Sequence, residues 1–381
     1  MLVQAIRRSP LLRIAIDLRV TVVSLALLFL LTLLGTFHQV SHGLYDAQQR
    51  YFGAWITLVG GIVPLPGAQL VLWVLFVNLV AVTAVRFVYR WSRVGILITH
   101  LGMFVMFFGM FFVSYFAQES FLRLQEGEWR NTSEDYHEWE IAAWREGADA
   151  RDVSAVDLRQ LAPGDQVTLP ALGLTMLVEE NHPSADAYLP AEGRSSPFLN
   201  ARGIAELRPR RRSVRPEENQ PGAILDVGTG SEGASLALWA LDPAPTSVTL
   251  DGKRYSFSLR RTRYELPALI GLQEFRAEFH PGTDTPRSFE SDVVVEAPGT
   301  RRPVRISMNK PLRFGGFTFY QASYEFDATG AAYSTLAVVE NRGRIVPYVG
   351  TAVISIGLIV HFIQTLARPG RRRRTAGAEA S

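Results

Sequence analysis

Two histidines lie within apolar segments that are long enough to cross a membrane. His100 interrupts GILITHLGMFVMFFGMFFVSYF, residues 95–116, and His361 interrupts IVPYVGTAVISIGLIVHFIQTLA, residues 345–367. An ionisable side chain in hydrocarbon costs free energy, so it indicates a functional site when a partner for it can be named. Neutral imidazoles serve as iron ligands in haem proteins. The first chemistry to consider is therefore axial ligation of a haem iron.

Flanking arginines predict that the two histidines lie at one depth. His100 follows Arg93 by seven residues, and His361 precedes Arg368 by seven, which is roughly 10 Å at 1.5 Å per residue. The pair is thus a candidate for both axial positions of one iron, with His361 as the second ligand. The alternative is packing, in which an imidazole bonds to a backbone carbonyl or to Asn78 of the preceding apolar segment.

The other histidines carry weaker signals. His38 and His42, in GTFHQVSHG, end the first apolar segment, where water makes polar side chains inexpensive. A structural role is expected there, with a haem contact of His38 on the outer face as the alternative. HEWE, residues 137–140, does not complete the zinc motif H-E-x-x-H, because Ile141 occupies the position of the second histidine. No role is assigned to the three remaining histidines, His137, His182 and His280.

Four apolar segments have the roughly 20 residues needed to span hydrocarbon. The first is not expected to be a cleaved signal peptide, because its apolar run is too long and no A-x-A site follows. Arginines flank the segments on one side, at the N-terminus, between the second and third segments and in the tail RRRR, so both termini are predicted to be cytoplasmic. The four predicted spans are residues 16–37, 66–85, 94–116 and 345–367.

The region between the third and fourth spans reads as a water-soluble β domain. It contains short alternating runs about ten residues apart with turn residues between them, a pattern typical of an antiparallel, sandwich-like structure. The predicted fold class is thus a membrane α + β protein with a large extracytoplasmic β domain between helices three and four. Its predicted parts are 1–116 (three helices), 117–344 (β domain), 345–367 (fourth helix) and 368–381 (basic cytoplasmic tail).

Composition and motifs exclude several classes of function. The chain has no cysteine, which excludes disulfides, thiolate metal sites and c-type haem attachment to this chain. A net charge of +3 gives no indication of nucleic-acid binding. Gly228, Gly230 and Gly233 have the G-x-G-x-x-G spacing, but a dinucleotide site needs a following helix. The residues that follow are β-like, so a glycine-rich hairpin turn is predicted.

Two long stretches resemble the ResB/CcsB family of system II cytochrome c biogenesis. They are PGTDTPRSFESDVVVEAP followed by VRISMNKPLRFGGFTFYQASYE, and GTFHQVSHGLYDAQQRYFGAWI near the front of the chain. The resemblance covers nearly the whole chain, although the chain is short for the family. The Trp-rich loop of the family's partner is absent, so the chain resembles the ResB-type subunit alone.

The resemblance implies a function and a set of partners. ResB-type proteins pair with a Trp-rich ResC/CcsA-type membrane protein, carry reduced haem b across the bacterial inner membrane and present it to apocytochrome c for thioether attachment. Thiol-reducing thioredoxin-like proteins act in the same pathway. The chain is thus expected to be a subunit of a holocytochrome c synthase, or haem lyase, complex that is inactive alone, in contact with membrane lipid and with no nucleic acid.

The resemblance also assigns residues. His100 matches the family's intramembrane histidine, which is thought to ligate haem together with a histidine of the partner, and this weakens the pairing with His361. In the NKPLRFGGFTFYQ run, a structural hairpin is the simplest interpretation. The alternative is that this run docks the partner protein. The candidate docking residues are Asn309, Pro311, Tyr320 and Gln321.

Three further interpretations stay open or are set aside. A membrane-anchored assembly scaffold that binds no haem is the main alternative function. A di-haem cytochrome b would need His38 and His42 to flank one iron, which residues four apart on one segment cannot do. The phenylalanines of the third span either face lipid or contact a porphyrin; they are Phe104, Phe107, Phe108, Phe111 and Phe112.

Overall fold

A computed structural model describes residues 10–147 and 152–367. Four of its helices are long and apolar enough to cross a membrane. The described residues divide into a helical unit, up to Ala117 and from Asn341, and a sheet unit, Gln118–Glu340. The long helices are α1 (Leu18–His42), α2 (Ala68–Arg86), α3 (Val94–Phe116) and α4 (Val346–Leu366).

Capping and a glycine define the ends of α1. The carboxylate of Asp17 accepts the backbone N–H of Arg19 and so caps the first turn. Gly43 ends the helix with φ at 86°, a conformation that glycine adopts without the steric penalty of a side chain. Short elements lie around α1: helical segments Pro10–Ala15, Leu44–Ala47 and Gln48–Gly53, then the hairpin of β1 (Ile56–Val59) and β2 (Val63–Pro66).

Glycines spaced by seven residues bring α3 and α4 together. A β-carbon built on Gly102 would lie 2.8 Å from the backbone nitrogen of Ile354, and one built on Gly350 would lie 2.7 Å from the side chain of Met106. Helices in hydrocarbon associate by close backbone approach at small residues, because lipid provides no hydrophobic driving force between them. The two helices therefore form a tight antiparallel pair.

Aromatic rings make the contact between α2 and α3. Trp73 stacks on Phe111 with ring centroids 3.9 Å apart, and Phe76 lies 6.0 Å from Phe107. These pairs give the antiparallel register of the two helices.

The sheet unit consists mainly of antiparallel strands. Their bounds are β3 (Gln118–Gln125), β4 (Trp129–Arg145), β5 (Ser154–Asp157), β6 (Gln166–Leu169), β7 (Leu174–His182), β8 (Ala185–Tyr188), β9 (Glu206–Pro209), β10 (Gly222–Gly228), β11 (Gly233–Trp239), β12 (Thr246–Leu250), β13 (Lys253–Phe279), β14 (Pro286–Ala297), β15 (Thr300–Ser307), β16 (Leu312–Phe314), β17 (Phe317–Phe326) and β18 (Ala332–Glu340).

In one half of the sheet unit, two packed sheets share one core, to which the four-stranded sheet β11-β10-β7-β6 and strands β4, β12 and β13 contribute. The sandwich-like prediction describes this half.

The other half is one curved sheet rather than two stacked ones. Its order is β15-β14-β13-β4-β3-β18-β17-β16, and its two ends approach where Ser307 exchanges backbone hydrogen bonds with Lys310. A second core of aliphatic and aromatic residues, including Phe319 and Val293, lies within the curve. Long β13 takes part in both cores, so it joins the two halves.

The glycine-rich motif forms the hairpin that its sequence predicts. β10 and β11 pair antiparallel from Gly222↔Trp239 to Gly228↔Gly233, and Gly230 in the turn has φ of 96°. A strand therefore follows the motif where a dinucleotide site requires a helix.

Candidate functional site

His100 has one ring nitrogen engaged and the other available. Its Nδ1 lies 2.8 Å from the carbonyl oxygen of Ile96. Because a carbonyl only accepts, Nδ1 must donate, and in the neutral imidazole Nε2 then carries the lone pair. Metal-bound histidines commonly have this arrangement, with one nitrogen donating to a carbonyl and the other facing the metal. The backbone bond that the packing alternative predicted for His100 is thus present, and it leaves Nε2 free to act as a ligand.

The environment of His100 is the α2 side of α3. His100 precedes Phe107 by seven residues, two helical turns, so it lies on the side whose rings meet α2. The ring of Phe87, just past the end of α2, lies 6.1 Å from the imidazole. The half-buried imidazole therefore has an apolar neighbour at the arginine-bearing end of the two helices.

Thr83 is a polar residue at this level that the sequence interpretation missed. It follows Phe76 by seven residues, as His100 precedes Phe107 by seven, so the antiparallel register puts Thr83 and His100 at one level. Thr83 is only 5% exposed, and its hydroxyl has no hydrogen-bond partner among the described residues. The seven-residue spacing from the aromatic pair was the signal that could have found it.

His361 lies on a different side of α3 from the one that carries His100. The backbone of His361 packs on Gly95, and Gly357 packs on Thr99. His361 is therefore level with Gly95, five residues or about 7.5 Å along the axis from His100. His100 lies about 140° around α3 from Gly95, so the two imidazoles are separated in depth and by the helix itself. The predicted matched pair does not form one two-ligand site in this conformation.

The imidazole of His361 is nevertheless unusual. Its Nδ1 is buried without a hydrogen-bond partner in the described structure, while its carbonyl accepts the hydroxyl of Thr365. The tight contact of α3 with α4 leaves no room for a porphyrin between these helices at Gly95.

Asn78 is fully occupied elsewhere. Its amide donates to the carbonyls of Ala15 and Asp17 at 2.8 and 3.0 Å, and its oxygen accepts the hydroxyl of Thr21 at 2.6 Å. Asn78 thus fastens α2 to the start of α1. The sequence alternative that paired it with His100 is wrong for this structure.

The phenylalanines of α3 have divided roles. Phe111 is buried against Trp73, and Phe107 faces Phe76, so both are packing residues. Phe108 is 62% exposed in the described chain and contacts Phe112. The predicted aromatic lining is therefore not one continuous surface around His100.

His38 and His42 form a small polar cluster at the end of α1. Their rings stack with centroids 4.0 Å apart. His38 Nε2 lies 2.7 Å from the carboxylate of Asp46, and His42 Nδ1 lies 2.7 Å from the hydroxyl of Ser41. The bond from His38 to Asp46 links the last turn of α1 to the segment after Gly43, which is a structural role. Stacked rings on one segment do not flank an iron.

The proposed docking residues differ in accessibility. Asn309 is exposed in the turn after β15, Pro311 is half-buried, and Tyr320 is 41% exposed on β17. Gln321 is buried, since it is only 7% exposed, and in this conformation it is not available to a partner. Gly315 and Gly316 form the two-residue turn between β16 and β17, with φ of 58° and 90°, as the predicted hairpin requires.

A buried polar network explains the position of Gln321. The hydroxyl of Ser291 donates to the Gln321 oxygen at 2.7 Å, the Gln321 amide donates to Ser334 at 3.0 Å, and the two serine hydroxyls lie 2.7 Å apart. The network joins β14, β17 and β18 inside the curved sheet. Its role is structural.

Tyr264, Asp135 and His137 form a titratable cluster in the sheet unit. Burial raises the pKa of the Tyr264 hydroxyl, and its hydrogen bond to Asp135 raises that pKa further. Burial also lowers the pKa of His137. Asp135 joins the cluster, because it accepts the hydroxyl of Tyr264 and the backbone N–H of His137, so these bonds connect β4 and β13.

The described residues contain no group of three or more histidine, cysteine or carboxylate side chains arranged to hold a metal ion. A haem needs only an axial nitrogen from the protein and an apolar slot, and His100 Nε2 beside Phe87 fits the first requirement. A slot for haem beside His100 would lie on the α2 side, because α4 packs against the side of α3 that carries Gly95 and Gly102.

Comparisons with known proteins identify part of the sheet unit. Residues 246–333 match the model of the ResB-like family. A stretch of 124 residues is 27% identical to Protein NrfI of Wolinella succinogenes. That match covers 32% of this chain and 13% of the relative, so the chain spans far less than two thirds of its length. The family match includes β13 and β14 with most of the hairpin signature, while His100 and His361 lie outside it.

Proposed function

We propose, from the membership of this chain in the ResB-like family, that it acts in cytochrome c biogenesis as a membrane subunit that holds haem at His100 for delivery to apocytochrome c. The family membership supports the pathway. The geometry of His100 supports the finer assignment.

The observation that carries the proposal is the hydrogen bond from His100 Nδ1 to Ile96. It selects, for a neutral imidazole, the tautomer with its lone pair on Nε2 and directs that lone pair away from its own helix, which is the arrangement that an iron ligand needs. A histidine used only for packing gains nothing from an unused lone pair in hydrocarbon.

The residues around His100 define what this chain contributes. His100 supplies one axial nitrogen, Phe87 supplies an apolar contact, and the α3–α4 pair closes the opposite side. Bound haem supplies the iron that is ligated and the porphyrin that becomes joined to the cysteine thiols of apocytochrome c. Because this chain has no cysteine, the thiols and their reductants belong to other proteins.

The second axial ligand is proposed to come from another polypeptide. His361 lies five residues away in depth and on the α4 side, so it does not complete the site from within the chain. A Trp-rich ResC/CcsA-type protein is the proposed source. The chain is accordingly proposed to be one subunit of a holocytochrome c synthase complex.

The proposed setting is the bacterial inner membrane. Four spans and arginines at Arg86, Arg90 and Arg93 support cytoplasmic termini with the sheet unit outside. Of the basic residues near the two termini, Arg13 and Arg19 belong to the described chain, whereas Arg7, Arg8 and the basic tail lie outside it. His100 then lies in the cytoplasmic half of the bilayer, where haem made in the cytoplasm would enter.

A reduced-minus-oxidised optical spectrum tests the proposal. We expect the full-length protein, purified with its partner, to show a b-type spectrum that His100→Ala abolishes and His361→Ala keeps. His361→Ala is the matched control, since it removes the other intramembrane imidazole. Protein yield and thermal unfolding of each variant separate lost ligation from lost folding.

Two results would count against the proposal. Equal haem content in wild type and His100→Ala makes His100 a packing residue and leaves the scaffold function. Loss of the spectrum in both variants, with folding unchanged, means that the two histidines act together in a conformation other than the one described.

A further inference from the structure

Building on the haem site of the proposed function, we propose that the link between α2 and α3 is a carboxylate-binding subsite, in which Arg90 and Arg93 hold the propionate groups of the haem bound at His100. Membrane topology alone would explain these two arginines only as positive charges that flank a membrane-spanning helix.

Both guanidiniums lack a partner within the described structure. The side chains of Arg90 and Arg93 are exposed, and neither makes a hydrogen bond or ion pair with another described residue. The described part of the helical unit holds two acids, and both are engaged: Asp17 caps α1, and Asp46 bonds to His38. No carboxylate in this part of the protein therefore neutralises the pair.

Arg93 lies close to His100 along the chain. Arg93 immediately precedes α3 and lies seven residues, about 10 Å, before His100. Arg93 is the N-cap residue of α3, so it lies at the end of the helix nearer to His100. Arg86 is differently placed, because its guanidinium donates to the carbonyl of Ile16 at 3.0 Å. Arg86 is thus a matched arginine at the same end of the helices, but its guanidinium already has a hydrogen-bond partner.

Three contacts hold the link in place. The hydroxyl of Tyr89 donates to the carbonyl of Thr83 at 2.8 Å, and the rings of Phe87 and Tyr89 lie 5.3 Å apart. On the other side, the amide of Gln364 donates to the carbonyl of Trp91 at 2.9 Å. A link anchored to both α2 and α4 presents its arginines with less entropy to lose on binding.

The site also has an unused polar group. The hydroxyl of Thr83 is buried at the level of His100 and has no partner among the described residues. A buried donor gains when a ligand supplies an acceptor. Arginine recognises carboxylates through paired N–H groups, so two arginines and a hydroxyl suit a ligand that is apolar over most of its surface and carboxylated at one edge.

Comparing the binding of haem with that of its dimethyl ester tests this subsite, because the ester keeps the porphyrin and the iron but lacks the carboxylates. The full-length protein in phosphatidylcholine nanodiscs is titrated with each compound after reduction, and binding is followed optically. We expect haem to bind on the order of tenfold more tightly than the ester, since hydrogen bonds between charged groups are the stronger class. Arg90→Gln combined with Arg93→Gln should bring the ratio near one, whereas Arg86→Gln should retain it.

Because both affinities are measured on the same variant, their ratio does not depend on the fraction of that variant that is folded. Equal affinities in the wild type, with binding that depends on His100, overturn the subsite but leave the proposed function intact. No binding that depends on His100 overturns both. The same titration in nanodiscs that contain phosphatidylglycerol tests a lipid instead. If the protein retains this lipid only when Arg90 and Arg93 are present, and the two haem compounds bind with equal affinity, the arginines bind lipid phosphate.

Discussion

Gly95 and Gly357 face each other across α3 and α4 without room for a side chain on either. A β-carbon on Gly95 would lie 2.8 Å from the carbonyl oxygen of Gly357, and one on Gly357 would lie 2.9 Å from the carbonyl oxygen of Gly95. This contact fixes the depth of His361 relative to His100. The helix pair therefore determines which histidine is available on the α2 side.

Replacing Gly95 with alanine should destabilise the helix pair. The added methyl overlaps the backbone of α4, and overpacking of this kind costs about 1–3 kcal/mol. Unfolding of the full-length protein in detergent, followed by circular dichroism, measures the loss. Leu101→Ala is the control, because Leu101 is 48% exposed on α3 and should change stability by less. A Gly95→Ala variant as stable as wild type would contradict the close packing.

The spans were predictable from the sequence, whereas the arrangement of the helices was only partly so. Length and apolar character identify a membrane helix without knowledge of its neighbours. The matched depth of His100 and His361 assumed that distance from a flanking arginine sets depth. Packing overrides that assumption, and the seven-residue spacing of glycines was the available signal for it.

The sheet unit shows the same limit. Turn residues and alternation predicted antiparallel strands, and Gly315 with Gly316 predicted the hairpin. Period-two alternation puts Gln321 on the same strand face as Phe319, yet Gln321 was predicted to dock a partner, and the structure buries it. Its bonds to Ser291 and Ser334 could not be predicted, because both serines come from strands whose register is set by long-range packing.

Removing one member of this network should expose the cost of an unsatisfied buried group. Ser334→Ala deletes the hydroxyl that meets both Ser291 and Gln321, so we expect a loss of about 1–3 kcal/mol in the free energy of unfolding. Ser323→Ala on exposed β17 is the matched control and should be nearly neutral. Chemical denaturation of the full-length protein gives both values. Similar stability of the two variants would mean that the network contributes little.

The hairpin turn gives a paired test at adjacent glycines. Gly315 and Gly316 both have positive φ, so alanine is strained at either position. A β-carbon on Gly315 would also lie 2.5 Å from the ring of Pro267, whereas one on Gly316 would meet nothing within 4 Å. Gly315→Ala should thus lose about 1 kcal/mol or more beyond Gly316→Ala, by the usual cost of overpacking. Thermal unfolding of the two variants measures this difference, and equal losses would show that Pro267 moves aside freely.

The ion-pair network on β13, β14 and β15 should make stability depend on pH below 4. Hydrogen bonds from Arg305, and then from Arg276, lower the pKa of Asp292 to about 2, against about 3.9 for an unperturbed aspartate. Because the folded pKa is the lower one, the contribution is complete above about pH 4 and is lost as the pH falls towards 2.

Asp292→Asn removes this contribution, with an expected cost of about 1 kcal/mol at pH 7, since both arginines are partly exposed. The stability difference between wild type and Asp292→Asn should shrink between pH 4 and pH 2 and should also shrink in high salt. Urea titrations at several pH values measure it. Asp284→Asn, in the exposed turn after β13, is the control and should show no such trend. A difference that stays constant down to pH 2 would mean that the arginines do not stabilise the carboxylate of Asp292.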